Sequence, residues 1–125
     1  MNNWIFRGWD ATGQKGWVYG DLIHNQKVTV DGLEPRVMVG GYEVVPESVG
    51  LCTGEKDMDG KNVYEGDIVE WEDYGYKNLY EIKRFGRSFW FAINGVSVNF
   101  WANKFKIVGT MFENKEMIEK WIRKN

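Results

Sequence analysis

The sequence predicts a mainly β protein: an N-terminal β lobe over residues 1–60, then a small barrel of the SH3 type over residues 61–125 that ends in a short α-helix. Three observations predict it. Aromatic and β-branched residues dominate the short apolar runs, with seven Trp, seven Phe and six Tyr in 125 residues. Fifteen glycines, with Asp-Gly and Asn-Gly pairs among them, break those runs at the intervals of strands and tight turns. Only the last dozen residues show the three-and-four spacing of an amphipathic helix.

The expected strands in the first lobe are Trp4 to Trp9, Gly16 to His24, Lys27 to Val30 and Arg36 to Val45, and Asp31-Gly32 reverses the chain after the run KVTV. The glycine-rich, polar stretch from Val49 to Asn62 is the expected seam, with Asp59-Gly60 as a second reversal. Beyond it come Asp67 to Glu72, Leu79 to Phe85, Ser88 to Ile93, Val96 to Trp101 and Lys104 to Val108. About five short strands are too few for a sandwich and enough for a small barrel. The two lobes are expected to form one compact unit.

Within the second lobe, SFWFAI-NG-VSVNFW reads as a hairpin, because Asn94 and Gly95 both accept the positive φ of a type I′ turn. That turn sets Ile93 opposite Val96, Phe91 opposite Val98 and Phe89 opposite Phe100 on an apolar face. Trp90 and Trp101 fall on the other face, among Ser88, Ala92, Ser97 and Asn99. The terminal helix is expected to begin at Asn114 as N-cap and to carry Met117, Ile118, Trp121 and Ile122 on one side. Glu116 with Lys120 and Glu119 with Arg123 have the favourable order for i,i+4 pairs.

Composition excludes several classes. A formal charge of -2 and a pI near 5.5 argue against a generic polyanion binder. One cysteine, Cys52, cannot form an internal disulfide, and with His24 as the single histidine the ligands of a structural zinc site are missing. A reducing cytoplasm is the expected setting. No segment approaches the roughly 20 apolar residues that cross a bilayer, and the N-terminus lacks the pattern of an export signal.

Asp57, Asp59, Asn62, Glu65 and Asp67 form an oxygen-rich run, yet the spacing misses that of a calcium loop. An EF-hand needs Gly at position six and Glu at twelve, where this run has Gly60 at four and Ile68 at twelve. The expected role of Asp57 and Asp59 is to hold turns, with Gly66 at positive φ before a strand. Cys52 and His24 are the one thiol and imidazole, and no local feature activates the thiol, so Cys52 reads as a core or loop residue. Glu70 and Glu72 share a strand face that reads as solvated. No constellation passes the inventory of nucleophile, base and charge stabiliser, so the chain is read as no enzyme, with no cofactor and no metal.

From Tyr74 to Lys106 the local balance is different. Lys77, Lys83, Arg84, Arg87, Lys104 and Lys106 stand against a single acid, Glu81, a local balance of +5, and Trp90 and Trp101 lie within the same segment. Cations for phosphates and indoles for base stacking are the usual combination for single-stranded nucleic acid. The same residues read first as solubilising charges on strand edges and ends, with the indoles packed under the N-terminal lobe or the C-terminal helix. Trp4, Phe6, Trp9, Trp17 and Tyr19 form a further aromatic set, at a period more common in cores than interfaces.

The stretch GLCTGEKDMDGKNVYEGDIV, Gly50 to Val69, carries a longer signal. Val49, Gly50, Thr53, Gly54, Lys56, Asp57, Gly60, Tyr64, Glu65, Gly66, Asp67, Ile68 and Val69 occupy places of a pattern that resembles the centre of the YopX family, proteins encoded by bacteriophages and prophages. FRGWD at Phe6 to Asp10, GWVYGDLIH at Gly16 to His24 and IVGTMFEN at Ile107 to Asn114 extend the resemblance over nearly the whole chain. Leu51, Cys52 and Glu55 depart from it, Cys52 at a position usually aromatic. The resemblance implies a phage or prophage origin and a small-barrel fold, and it supplies no reaction. The expected function is a binding or assembly module in the bacterial cytoplasm, with a protein partner or self-association. Nucleic-acid binding through the basic C-terminal barrel is the alternative.

Overall fold

The computed structural model describes residues 5–85, 88–91 and 102–124. The chain divides into two compact units, Met1–Cys52 and Thr53–Asn125. Among the described residues each is mainly β, and an α-helix closes the second.

In the first unit β1 (Phe6–Trp9) pairs antiparallel with β2 (Trp17–Gly20), Gly8 opposite Val18. On its other side Phe6 and Arg7 meet Leu51 and Gly50, the start of β6 (Gly50–Lys56). A second sheet runs β3 (Leu22–Thr29), β4 (Gly32–Val39) and β5 (Tyr42–Glu43). Val18, Val39 and Val44 form the core, with Phe6, Leu22, Val37 and Val49 packed around them.

The strand limits here differ from expectation for local steric reasons. The run expected as Gly16 to His24 breaks at Asp21, because Gly20 and Gly40 approach backbone to backbone. A Cβ on Gly20, at φ 145°, would fall 2.7 Å from the Cα of Gly40. Past that break β3 continues through Asn25 and Gln26 without interruption, and β4 begins at Gly32, four residues before the expected Arg36. Pro35 did not stop the strand. It stands opposite Gln26 in an unbroken ladder, where β4 has no second neighbour among the described residues, so its missing N–H faces an open edge and costs no sheet bond.

The second unit starts within β6, inside the stretch from Val49 to Asn62 expected as the seam. Thr53 donates its hydroxyl to the Val63 carbonyl across to β7 (Asn62–Tyr64), at 2.8 Å. Then β8 (Asp67–Asp73), β9 (Tyr76–Phe85), β10 (Ser88–Phe91) and β11 (Lys106–Thr110) form an antiparallel sheet in the order β10-β9-β8-β11. Among the described residues no sheet closes on itself. Val63, Val69, Ile82 and Phe105 make the core, with Trp71, Tyr80 and Ile107 against it. The turn at Asn94-Gly95 and the strand from Val96 to Trp101 lie outside the described residues.

The helix α1 spans Met111–Lys124, so it starts three residues before the expected Asn114. Thr110 caps its first turn, its hydroxyl oxygen accepting the Glu113 N–H at 3.0 Å. Asn114 interrupts the helix at φ -130° and turns its side-chain oxygen back to accept the Thr110 N–H at 3.1 Å. A polar residue able to bond either backbone end serves a kink as well as a cap. Ile118 is buried, Met117 and Trp121 are half-buried, and Ile122 at the fraying end is exposed.

Candidate interaction surfaces

The oxygen-rich run is a structural device. Asp57 is buried, and its two carboxylate oxygens accept the N–H groups of Asp59 and Lys61 at 2.9 Å each and of Ile107 at 3.0 Å. The backbone of the same loop bonds Gly60 to the Asp57 carbonyl and Met58 to the Phe105 carbonyl. Asp67 is fully buried and accepts the Tyr64 N–H at 2.7 Å across the turn that Gly66 makes at φ 96°. Both carboxylates are thus spent on backbone donors of their own turns and, for Asp57, on a donor of β11. Among the described residues, no three His, Cys, Asp or Glu side chains converge as a metal would require.

In the first unit Asp10 works the same way. Its oxygens accept the Thr12 hydroxyl at 2.8 Å and the N–H groups of Thr12 and Lys15. The Thr12 hydroxyl first, then the Lys15 and Thr12 N–H groups, hold its carboxyl below the ordinary range against the opposing effect of burial. Arg7 lies under the face of Trp17, 4.5 Å from the ring centre, and Trp17 meets Trp9 edge-on at 5.3 Å. Of the period-two aromatics, Phe6, Trp9 and Trp17 are spent on internal contacts and Tyr19 is exposed, while Trp4 lies outside the described residues. Cys52 is buried on β6 and His24 is exposed on β3.

The basic residues are redistributed by strand pairing. Lys77, Lys83 and Arg84 lie on β9 and Lys104 and Lys106 around β11, all exposed. Alternation places Arg84 on the Ile82 side of the sheet and Lys83 on the opposite side. On that opposite side Lys77 stands across from Glu72 and Lys106 across from Glu70, while Lys83 neighbours Glu81. Three cations, Lys77, Lys83 and Lys106, therefore share the face with three carboxylates, Glu70, Glu72 and Glu81. Burial raises the Glu81 carboxyl above its ordinary range, and the charges of Lys83 and Lys115 resist that rise. Trp90 pairs through its backbone with Lys83; its ring, Arg87 and Trp101 lie outside the described part. A count along the chain from Tyr74 onward misses the β8 acids that the antiparallel ladder brings alongside.

Two exposed features escaped the sequence reading. One is the tip of the β8-β9 hairpin, where Tyr74 and Gly75 form a two-residue turn at φ 51° and 81°. Both positive values fit a type I′ turn, which asparagine and glycine enter readily and a bulky side chain does not. Tyr74 is 94% exposed and Tyr76 beside it is also exposed, so neither ring supports the fold. The signal was present in D-Y-G-Y, a glycine at the second turn place between two strands. Replacing Tyr74 by asparagine is expected to stabilise the unit by about 1 kcal/mol, read as a higher urea midpoint at unchanged slope. A lower midpoint would show that the ring packs on the fold after all.

The other feature is the β3-β4 arm. Its base is held by Leu22, Val37 and Val39, but towards the turn Val28, Val30 and Leu33 stand in solvent. Lys27 spans the sheet to both Glu43 oxygens at 3.1 Å, and Arg36 bonds Asn25 at 2.7 Å. The apolar turn residues have no such internal use.

No described helix is long and apolar enough to cross a membrane. A search of curated proteins finds no match. Among solved structures the chain is similar to the crystal structure of protein EF1440 from Enterococcus faecalis. The TM-score is 0.54 at 20% identity over 90% of this chain and 96% of that one, a likeness of fold. A family model described as YopX protein matches residues 5–119, nearly all of the sequence whose turns and buried carboxylates are set out above. The chain belongs to the YopX family.

Proposed function

We propose that the protein is a non-enzymatic binding or assembly module of phage or prophage origin, acting in the cytoplasm of an infected or lysogenic bacterium. One observation carries this reading: the Tyr74-Gly75-Tyr76 tip holds a solvent-exposed aromatic ring on a left-handed backbone that the turn itself would build better with asparagine. Backbone strain kept at an exposed aromatic residue is a sign of use outside the fold, and tyrosine is a frequent anchor at protein contacts. The small-barrel reading of the second unit belongs to this proposal, with short antiparallel strands presenting their hairpin tips to a partner.

The alternative is single-stranded nucleic acid on Lys83, Arg84, Arg87, Lys104 and Lys106 with Trp90 and Trp101. Lys83 and Arg84, exposed at one end of β9, support it, and the carboxylates opposite Lys77 and Lys106 weigh against it. Both readings meet in one experiment. Partner capture from the host bacterium is expected to be lost in the double variant Tyr74→Ser and Tyr76→Ser and kept in Lys83→Glu with Arg84→Glu. The opposite pattern, with affinity for an oligonucleotide that falls steeply as salt is added, would replace the first reading by the second.

A further inference from the structure

We infer that β3 is the contact through which two copies of this chain pair, antiparallel and edge to edge. The inference rests on the assembly reading and gives it a second, separate surface. Among the described residues β3 is an edge strand of eight, and Ile23, His24, Asn25, Gln26 and Val28 are exposed along it. Natural sheets protect such edges with proline, bulges or inward charges, because unpaired N–H and C=O groups recruit another strand. β3 has no proline and no bulge, and it carries one lysine. Its ladder with β4 runs from Leu22 to Thr29 without a bulge, and its one formally charged residue, Lys27, is already held by Glu43. The outer edge of β4, by contrast, carries Pro35.

Alternation decides which groups face outward. Pro35 shows that its pairing with Gln26 uses no N–H, so the Gln26 N–H points away from β4, and with it those of Leu22, His24 and Val28. A two-fold axis through Asn25 then sets His24 against Gln26 of the second copy and Leu22 against Val28 of the second copy, each twice. The exposed Val28, 83% accessible, gains an apolar neighbour. Lys27 of each copy lies diagonal to Asp21 of the other, an attractive contact made twice, and no like charges stand opposite one another along the seven paired residues. The occupant that fits an unprotected edge, matched in length, polarity and charge to itself, is a second copy.

Sedimentation of the full chain over a range of concentrations tests this. A dimer with Kd on the order of 10 μM is expected, weaker than interfaces of about 1,600 Å² give at their best. Gln26→Pro removes an outward donor without touching the ladder to β4, and Val28→Lys sets a charge against Leu22. Each is expected to weaken association at least about tenfold at an unchanged urea midpoint. In the wild type the amides of His24, Gln26 and Val28 are expected to become protected from hydrogen exchange as concentration rises. A chain that stays monomeric throughout overturns the inference, as does a dimer that survives both substitutions. The Tyr74→Ser and Tyr76→Ser variant is expected to dimerise normally; its failure to do so would move the contact to the hairpin tip. Loss of partner capture with dimerisation intact would touch the two proposals separately.

Discussion

Asp57→Ala is expected to lower the stability of the second unit by about 3 kcal/mol, a fall of roughly 10 °C in melting temperature for a chain of this size. The carboxylate is buried and serves three backbone donors at 2.9 to 3.0 Å, two within its own loop and one fifty positions away at Ile107 on β11. Hydrogen bonds to a charged acceptor are stronger than neutral ones, and a buried N–H left without an acceptor carries its full desolvation penalty. Water can reach the exposed Asp59 and Lys61 ends of the loop, so the Ile107 donor accounts for the largest share. Asp57→Asn keeps one acceptor oxygen and turns an NH2 towards the remaining donors, and about half the loss is expected. Urea unfolding followed by tryptophan fluorescence measures both. A loss below about 1 kcal/mol for the alanine variant would mean that the loop folds on its glycine turn alone.

Phe105→Ala is expected to cost still more, about 3 to 5 kcal/mol. The ring has 0% exposure and packs with Val63, Val69 and Ile82, which are equally closed to solvent. Its removal takes away the largest side chain of that cluster and leaves a cavity bounded by four strands that cannot easily collapse. The Phe105 carbonyl also accepts the Met58 N–H, so a shift of this segment would disturb the Asp57 loop as well. Against a typical total of about 5 to 15 kcal/mol, such a loss leaves a marginal fold. Phe105→Leu, which keeps most of the volume, is expected to cost about 1 to 1.5 kcal/mol. The measurement is the shift in urea midpoint at constant slope. A cost for the alanine variant no larger than that of leucine would place the ring outside the cooperative core.

Local chemistry was readable wherever one or two residues suffice to set the backbone. The reversal before β4 follows from Asp31-Gly32, the strand that starts at Asp67 was placed to within one residue of its end, and Gly66 takes the positive φ that its position after Glu65 suggested. The turn-holding role of Asp57 was equally plain, because a short acid followed by Asp-Gly bonds its own loop. What escaped were consequences of pairing. β3 runs through Asn25 and Gln26 because β4 lies alongside, although neither residue favours a strand by itself. Pro35 is accommodated within β4 because the ladder leaves its nitrogen on an open edge.

The candidate site divides along the same line. Trp90 and Lys83 lie on neighbouring strands with their backbones paired, but the positive balance expected from Tyr74 to Lys106 is lowered by two through Glu70 and Glu72, acids that precede the counted segment. The sequence by itself determined the class of fold, the family and the residues that make its turns, since side-chain alternation, glycine and short carboxylates act within a few residues of where they stand. Only the tertiary structure decided which strand lies beside which, and with it the cancellation of charge across the sheet, the strained tyrosine at a hairpin tip and the unprotected edge of β3. Those properties belong to pairs of residues far apart in the chain, and no local preference encodes which partner a strand will meet.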